Sequence, residues 1–245
     1  MSAKNVLATA LRVLAQLRHD RRTLALVLVV PPALLTLLRY VFDASPGTFE
    51  RVGPPLVGLF PLIVMFLITS IAMLRERTSG TLERLMSLPI SKPALLGGYA
   101  IAFGALAAVQ AAIVCTVGFL LLGLNADHGA WLVGLLAIGN ALLGMALGLF
   151  ASAFARTEFQ AVQFMPAIVF PQLLLCGLFA PRGAMAAPLQ DVAYAFPLTY
   201  AFAALSRATH SGPLGGTLVL DVTVVIGATL AALALGAATL RRRTP

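Results

Sequence analysis

Residues 94–124 pass without a single Asp, Glu, Lys or Arg. A hydrocarbon core of about 30 Å needs about 20 apolar residues in a helix. This run is longer than one crossing requires, so it tilts or projects its first turns beyond the bilayer. Five further apolar runs share its character, at 23–42, 54–74, 130–154, 161–179 and 214–240. Over the whole chain 60% of residues are apolar and 11% are charged. A soluble domain holds about 25% charged residues. Too few polar residues remain here to coat a core, which excludes a soluble globular domain, a disordered chain and a disulfide scaffold. The predicted class is all-α: a polytopic membrane protein with six transmembrane helices.

Residues 1–22 are amphipathic. Val6, Leu7, Ala10, Val13, Leu14 and Leu17 recur at helical spacing, with Asn5, Thr9, Arg12, Gln16 and His19 on the opposite face. Together with Lys4, Arg18, Arg21 and Arg22, this pattern predicts a helix lying in the membrane interface. A basic flank that merely orients the first span is the plainer alternative. No apolar h-region with a small-residue cleavage site marks a secretory signal. The six-span region therefore occupies 23–240, followed by a basic tail at 241–245.

The net charge is +8. In a soluble protein that would raise nucleic acid as a partner. Here the cations sit between the spans: thirteen Lys and Arg fall on one side of a six-span topology and four on the other. The positive-inside rule then places both termini in the cytoplasm, as an even number of spans requires, and no nucleic-acid partner is expected.

Ionisable groups inside a membrane mark ion pathways and proton relays. Only Arg39, near the end of the first run, and Asp221, about a third of the way into the last, come close. Asp221 reads more simply as an interfacial residue. Without an internal engine, uphill transport would need energy from another polypeptide. The G-x-x-x-x-G-K-[ST] phosphate loop is absent, as are H-E-x-x-H and G-x-S-x-G. No catalytic residue is expected, so the chain is not itself an enzyme. His19, His128 and His210 are scattered and Cys115 and Cys176 lie in apolar runs, so no metal site or disulfide is expected.

The connection after the second run carries the most information. Gly80-Thr81 reads as a helix start, Glu83 falls in a first turn where the helix dipole favours an acid, and Pro89 stops the helix. Leu82, Leu85 and Met86 share one face. That face needs either the span ends or a partner's groove.

The run Arg75-Glu76-Arg77-Thr78-Ser79-Gly80-Thr81-Leu82-Glu83-Arg84-Leu85, followed by Leu88-Pro89-Ile90-Ser91, resembles the R-E-x-x-x-G-T-L-E-x-L…P-x-S stretch of ABC-2 type transporter permeases. These are membrane subunits of ATP-binding-cassette exporters, including the daunorubicin-resistance type. A second stretch is similar to the family's region around its fifth span: Phe170-Pro171, Cys176-Gly177-Leu178-Phe179-Ala180-Pro181, Leu189-Gln190 and Phe196-Pro197-Leu198-Thr199-Tyr200. Cys176-Gly177 stands where the family often has Ser-Gly, and Phe196-Pro197 where it commonly has Asn-Pro.

The resemblance implies a permease that pairs with a second one, identical or related, above two ATPase subunits that bind ATP and Mg. Its first cytoplasmic loop would be a coupling helix, giving Glu76, Gly80, Thr81, Leu82, Glu83, Arg84 and Leu85 the task of receiving the ATPase's motion. The N-terminal helix would be the family's connecting helix. The segments 189–196 and 198–208, too short to span and separated by Pro197, would be external re-entrant helices. The path for an amphipathic or hydrophobic substrate, a drug or lipid, would run between the second and fifth spans, with Phe66, Thr69, Gln163, Phe164 and Gln172 as candidate lining. Each of these five also reads as packing within the bundle. The Gly144–Gly148 pair fits packing within one subunit better than a homodimer seam. The implied location is the plasma membrane. The competing reading is a channel or scaffold that needs no ATPase.

Overall fold

Asp20 separates the amphipathic segment from the first span. Helix α1 (Ala3–His19) ends there, and the Asp20 carboxylate caps α2 (Arg21–Val41) by accepting from the Thr23 backbone N–H at 3.1 Å and its hydroxyl at 2.7 Å. The computed structural model describes residues 3–81, 84 and 91–239. The remaining helices are α3 (Pro46–Thr78), α4 (Lys92–Cys115), α5 (Ala130–Ala151), α6 (Glu158–Leu175), α7 (Ala187–Tyr194), α8 (Pro197–Thr209) and α9 (Gly215–Thr239). A π-helical segment, Thr116–Leu121, continues α4. The fold is all-helical among the described residues.

Among the described residues five helices are long and apolar enough to cross a membrane: those within 23–41, 46–78, 94–121, 130–151 and 215–239. The predicted 161–179 span folds instead as the 18-residue α6, about 27 Å long. It opens on Glu158 and carries three glutamines and two prolines, and it is not among the five.

The segment 43–53, between the first two apolar runs, reads from its sequence as a short polar loop, and the structure corrects that. Its greater part is helical, because α3 starts with Pro46 in its first turn, where a missing N–H costs nothing. Phe49 and Gly53 are buried on that extension, and a Cβ at Gly53 would press into Leu124. Polar composition concealed a packed face.

The N-terminal helix also departs from its expected faces. Thr9, assigned to the polar face, is buried, whereas Leu7 and Leu11 point outward. The cause lies on α4, where Gly97-Gly98 offers a flat lane. A Cβ at Gly98 would collide with Thr9, so α1 sits directly on that backbone. The Thr9 hydroxyl is satisfied by the Asn5 carbonyl at 2.9 Å.

Helix α3 is the axis, touching α2, α4, α5, α6 and α8. Its most extensive partner is α5, and glycine makes that seam possible. A Cβ at Gly144 would strike the Leu62 carbonyl, and one at Gly148 the Phe66 carbonyl and the Thr69 hydroxyl. The Gly144–Gly148 pair is thus packed within the subunit. The core divides along the bundle. One part gathers Ala10, Val13, Met73, Tyr99 and Phe103, and the other Leu35, Phe49, Val57, Leu124 and Leu205. Helices α2 and α9 lie at the periphery with rows of exposed leucine and valine, as expected where the solvent is lipid.

The proline pair in α2 leaves the helix assignment unbroken. Pro31 has no N–H to give the Val27 carbonyl four residues back. Gln110, fully buried on α4, donates its amide to that carbonyl at 3.0 Å. A side chain from a second span thereby satisfies the group that proline orphans.

Candidate functional site

The two helices that flank residues 79–91, α3 and α4, are joined at their near ends by one buried acid. Glu76, two residues before the end of α3, is 8% exposed. It accepts a short hydrogen bond from the Tyr99 hydroxyl of α4. Arg12 of α1 closes the group, its guanidinium reaching the two Glu76 oxygens at 3.0 and 3.3 Å and the Tyr99 oxygen at 3.1 Å. Three helices meet in this one charge-assisted cluster. Tyr99 is buried and stacks on Phe103 at 6.2 Å. A cavity of about 230 Å³ borders the cluster, with Gln16, Asp20 and Arg75 on its wall.

Each position follows from the local sequence. The seat of α1 on Gly98 sets Arg12, three residues beyond Thr9, over the α3–α4 cleft. At 33 residues, about 50 Å, α3 is longer than a hydrocarbon core of about 30 Å, and Glu76 lies in its last turn. Its neighbour Arg75 grips Glu158 at the start of α6 through two parallel contacts of 2.7 and 3.0 Å. Glu158 stands ahead of the 161–179 run, and the Arg75 hydrogen bond holds its carboxyl below the ordinary carboxylate range. Residues 75 and 76 therefore tie α3 to α1, α4 and α6 at one end of the bundle.

Gly80 has φ +72°, the left-handed conformation that terminates a helix cheaply only at glycine. The Arg84 N–H donates to the Gly80 carbonyl at 3.1 Å, a helical spacing that agrees with a start at Gly80-Thr81. Leu82, Glu83 and Leu85, and with them the expected apolar face, lie outside the described residues.

The residues singled out for a path are not brought together. Phe66 and Thr69 are fully buried in the α3–α5 seam, where the Thr69 hydroxyl donates to the Met145 carbonyl at 3.2 Å. Gln172 is buried and donates to the Ile168 carbonyl of its own helix at 2.9 Å. Gln163 is exposed, and Phe164 is half-buried beside Leu74 and Ala161. Asp221, read as interfacial, is buried and paired with Arg207 at 3.3 Å.

Arg12 and Tyr99 escaped the sequence reading. Arg12 looked like one cation among several on a solvated face, and Tyr99 like an aromatic inside an apolar run. The signal available was Glu76 itself, an acid at a span end that burial obliges to find a cation.

Comparison with known proteins agrees with this architecture. The chain is 24% identical over 189 residues to the probable multidrug ABC transporter permease YbhS of Escherichia coli, covering 77% of this chain and 50% of that protein. It is 26% identical over 151 residues to the probable multidrug ABC transporter permease YbhR of the same organism, covering 61% of this chain and 40% of that one. It is 27% identical over 132 residues to ABC transporter G family member 20 of Dictyostelium discoideum, covering 54% of this chain and 18% of that protein. The chain thus spans half or less of the length of these relatives. The family profile described as ABC-2 type transporter matches residues 5–208, so the chain belongs to the ABC-2 type transporter family.

Proposed function

We propose that this chain is the permease subunit of an ATP-driven exporter and that the Arg12–Glu76–Tyr99 cluster makes the two stems of its coupling loop move as one piece. The observation that carries the reading is the buried acid itself, shared between the helix entering residues 79–91, the helix leaving them and the N-terminal helix. Two ATPase subunits bind ATP and Mg and press on the segment holding Gly80, Thr81, Leu82, Glu83, Arg84 and Leu85. A push there reaches α3 and α4 together, α1 through Arg12, and α6 through Arg75 and Glu158.

A second permease, identical or related, completes the path. Gln163 and Phe164, on the open side of α6, face it. Phe66, Thr69 and Gln172 become lining only as α3 and α6 shift. Cargo and nucleotide drive the change by binding its two states unequally. The multidrug designation of YbhS and YbhR, together with the apolar bundle, supports an amphipathic or hydrophobic cargo. The basic end, with both termini, lies in the cytoplasm of a cell bounded by this plasma membrane. Helix α6 serves as the sixth span, and α7 and α8 are the external re-entrant pair.

The test is co-expression with an ABC ATPase subunit that co-purifies with this chain, followed by reconstitution. A Gly80→Pro, Glu83→Lys double variant is expected to keep the complex inserted and hydrolysing ATP while export stops. Normal export by that variant, or uphill transport by the chain without an ATPase, overturns the reading.

A further inference from the structure

A cavity of about 510 Å³ lies among α4, α5, α8 and α9, and none of its described lining residues comes from α3 or α6. That volume falls in the range of small-molecule sites. Ala201 and Ala204 of α8 and Gly139 of α5 leave the room, and Val225 and Leu233 of α9 form the outer wall. Leu135 and Leu230 line the cavity and are 57% and 60% exposed, so it opens sideways on the apolar surface that faces lipid.

One amide interrupts this wall. Asn140 is 3% exposed, and its Nδ2 is sealed from the cavity as well as from solvent, with no hydrogen-bond partner among the described residues, so half a turn of the carboxamide is what brings an N–H to the cavity side. An amide left unpaired in hydrocarbon is costly. The hydroxyl on the same wall, Thr229, is already committed, donating to the Val225 carbonyl at 2.8 Å. A water needs several polar partners, and beside Asn140 the described lining side chains offer only the Thr229 hydroxyl. A phospholipid acyl chain would leave the amide unpaired as well. Asn140 sits at the middle of α5, about 15 Å from either helix end, whereas ester oxygens lie at headgroup level.

We propose that this cavity binds a lipophilic molecule dissolved in the bilayer that carries one neutral hydrogen-bonding oxygen, a carbonyl or hydroxyl, at the depth of Asn140. Half a turn of the carboxamide exchanges its oxygen and NH2, so Asn140 serves either group. The site lies apart from the α3–α6 path and does not rest on that reading.

The test uses the full chain in nanodiscs of phosphatidylethanolamine and phosphatidylglycerol. Two diazirine-bearing polycyclic hydrocarbon probes are compared, one with a ring ketone and one with a methylene in its place, and adducts are mapped by peptide mass spectrometry. The ketone probe is expected to label residues 135–142 and 222–233 about tenfold more than the methylene probe. In Asn140→Leu that preference falls to near unity while labelling by the methylene probe persists. Gly139→Leu should abolish labelling by both probes, since a Cβ there meets nothing within 4 Å and its side chain has the cavity to fill. It also gives an independent reading if Asn140→Leu does not insert. Equal labelling by the two probes in the natural chain overturns the proposal, because acyl-like filling then suffices. So does labelling that ignores Gly139→Leu, or cross-links showing a second copy of the chain in the cavity.

Discussion

Two buried acids stand at two helix junctions of this bundle and are held differently. Glu76 is gripped by both terminal guanidinium nitrogens of Arg12 and by Tyr99, partners drawn from α1 and α4. Asp221, 4% exposed, has one contact of 3.3 Å with Arg207, on the helix just before its own. Both satisfy the same rule, that a carboxylate out of water must have a cation. The first arrangement joins elements distant in sequence, whereas the second pins two consecutive ones. Burial alone therefore does not mark a hub; the number of separate elements that meet on the acid does.

The contrast can be broken most sharply at Glu76. Glu76→Ala strands the Arg12 guanidinium and the Tyr99 hydroxyl, and should cost about 3–5 kcal/mol in detergent unfolding. Replacing the pair together, Arg12→Met with Glu76→Leu, should recover most of that stability, while on the proposed function export stays impaired because the polar link is gone. Full export by the apolar pair would show that the cluster only holds the fold.

Asp221→Asn should lose less, about 1.5–3 kcal/mol, the worth of one hydrogen bond to a charged group. A loss equal to that of Glu76→Ala would erase the distinction drawn here. Tyr99→Phe removes one donor from an acid that keeps its cation, and about 1 kcal/mol is expected. Smallest is Arg75→Gln, which breaks the solvent-facing pair with Glu158 and should cost under about 1 kcal/mol. Since Arg75 lowers the Glu158 carboxyl, the contribution of this pair is present at neutral pH and fades as pH falls through that lowered value. A stability difference between Arg75→Gln and the natural chain that persists unchanged in acid would contradict the assignment.

Much of the helical plan was legible because lipid demands long uninterrupted apolar runs. The 130–154 and 214–240 runs became α5 and α9 with ends shifted by three residues at most, and Pro197 does divide α7 from α8. Legibility failed where polar residues are buried by neighbours remote in sequence. Nothing within 43–53 announces that Leu124 will press on Gly53, and nothing around Thr9 announces Gly98. The site was half legible for the same reason. Glu76 and Gly80 stood in a recognisable stretch, while Arg12 and Tyr99 owe their roles to the seat of α1 on α4.

The glycine seam between α3 and α5 has a mechanical consequence. With the Leu62 and Phe66 carbonyls resting where side chains would otherwise stand, α5 is keyed to α3 at two levels and cannot slide along it without steric collision. On the proposed function, a displacement applied at Glu76 is delivered to the opposite end of the molecule as travel of a doubled shaft, with the compliance confined to the thinner contacts of α2 and α6.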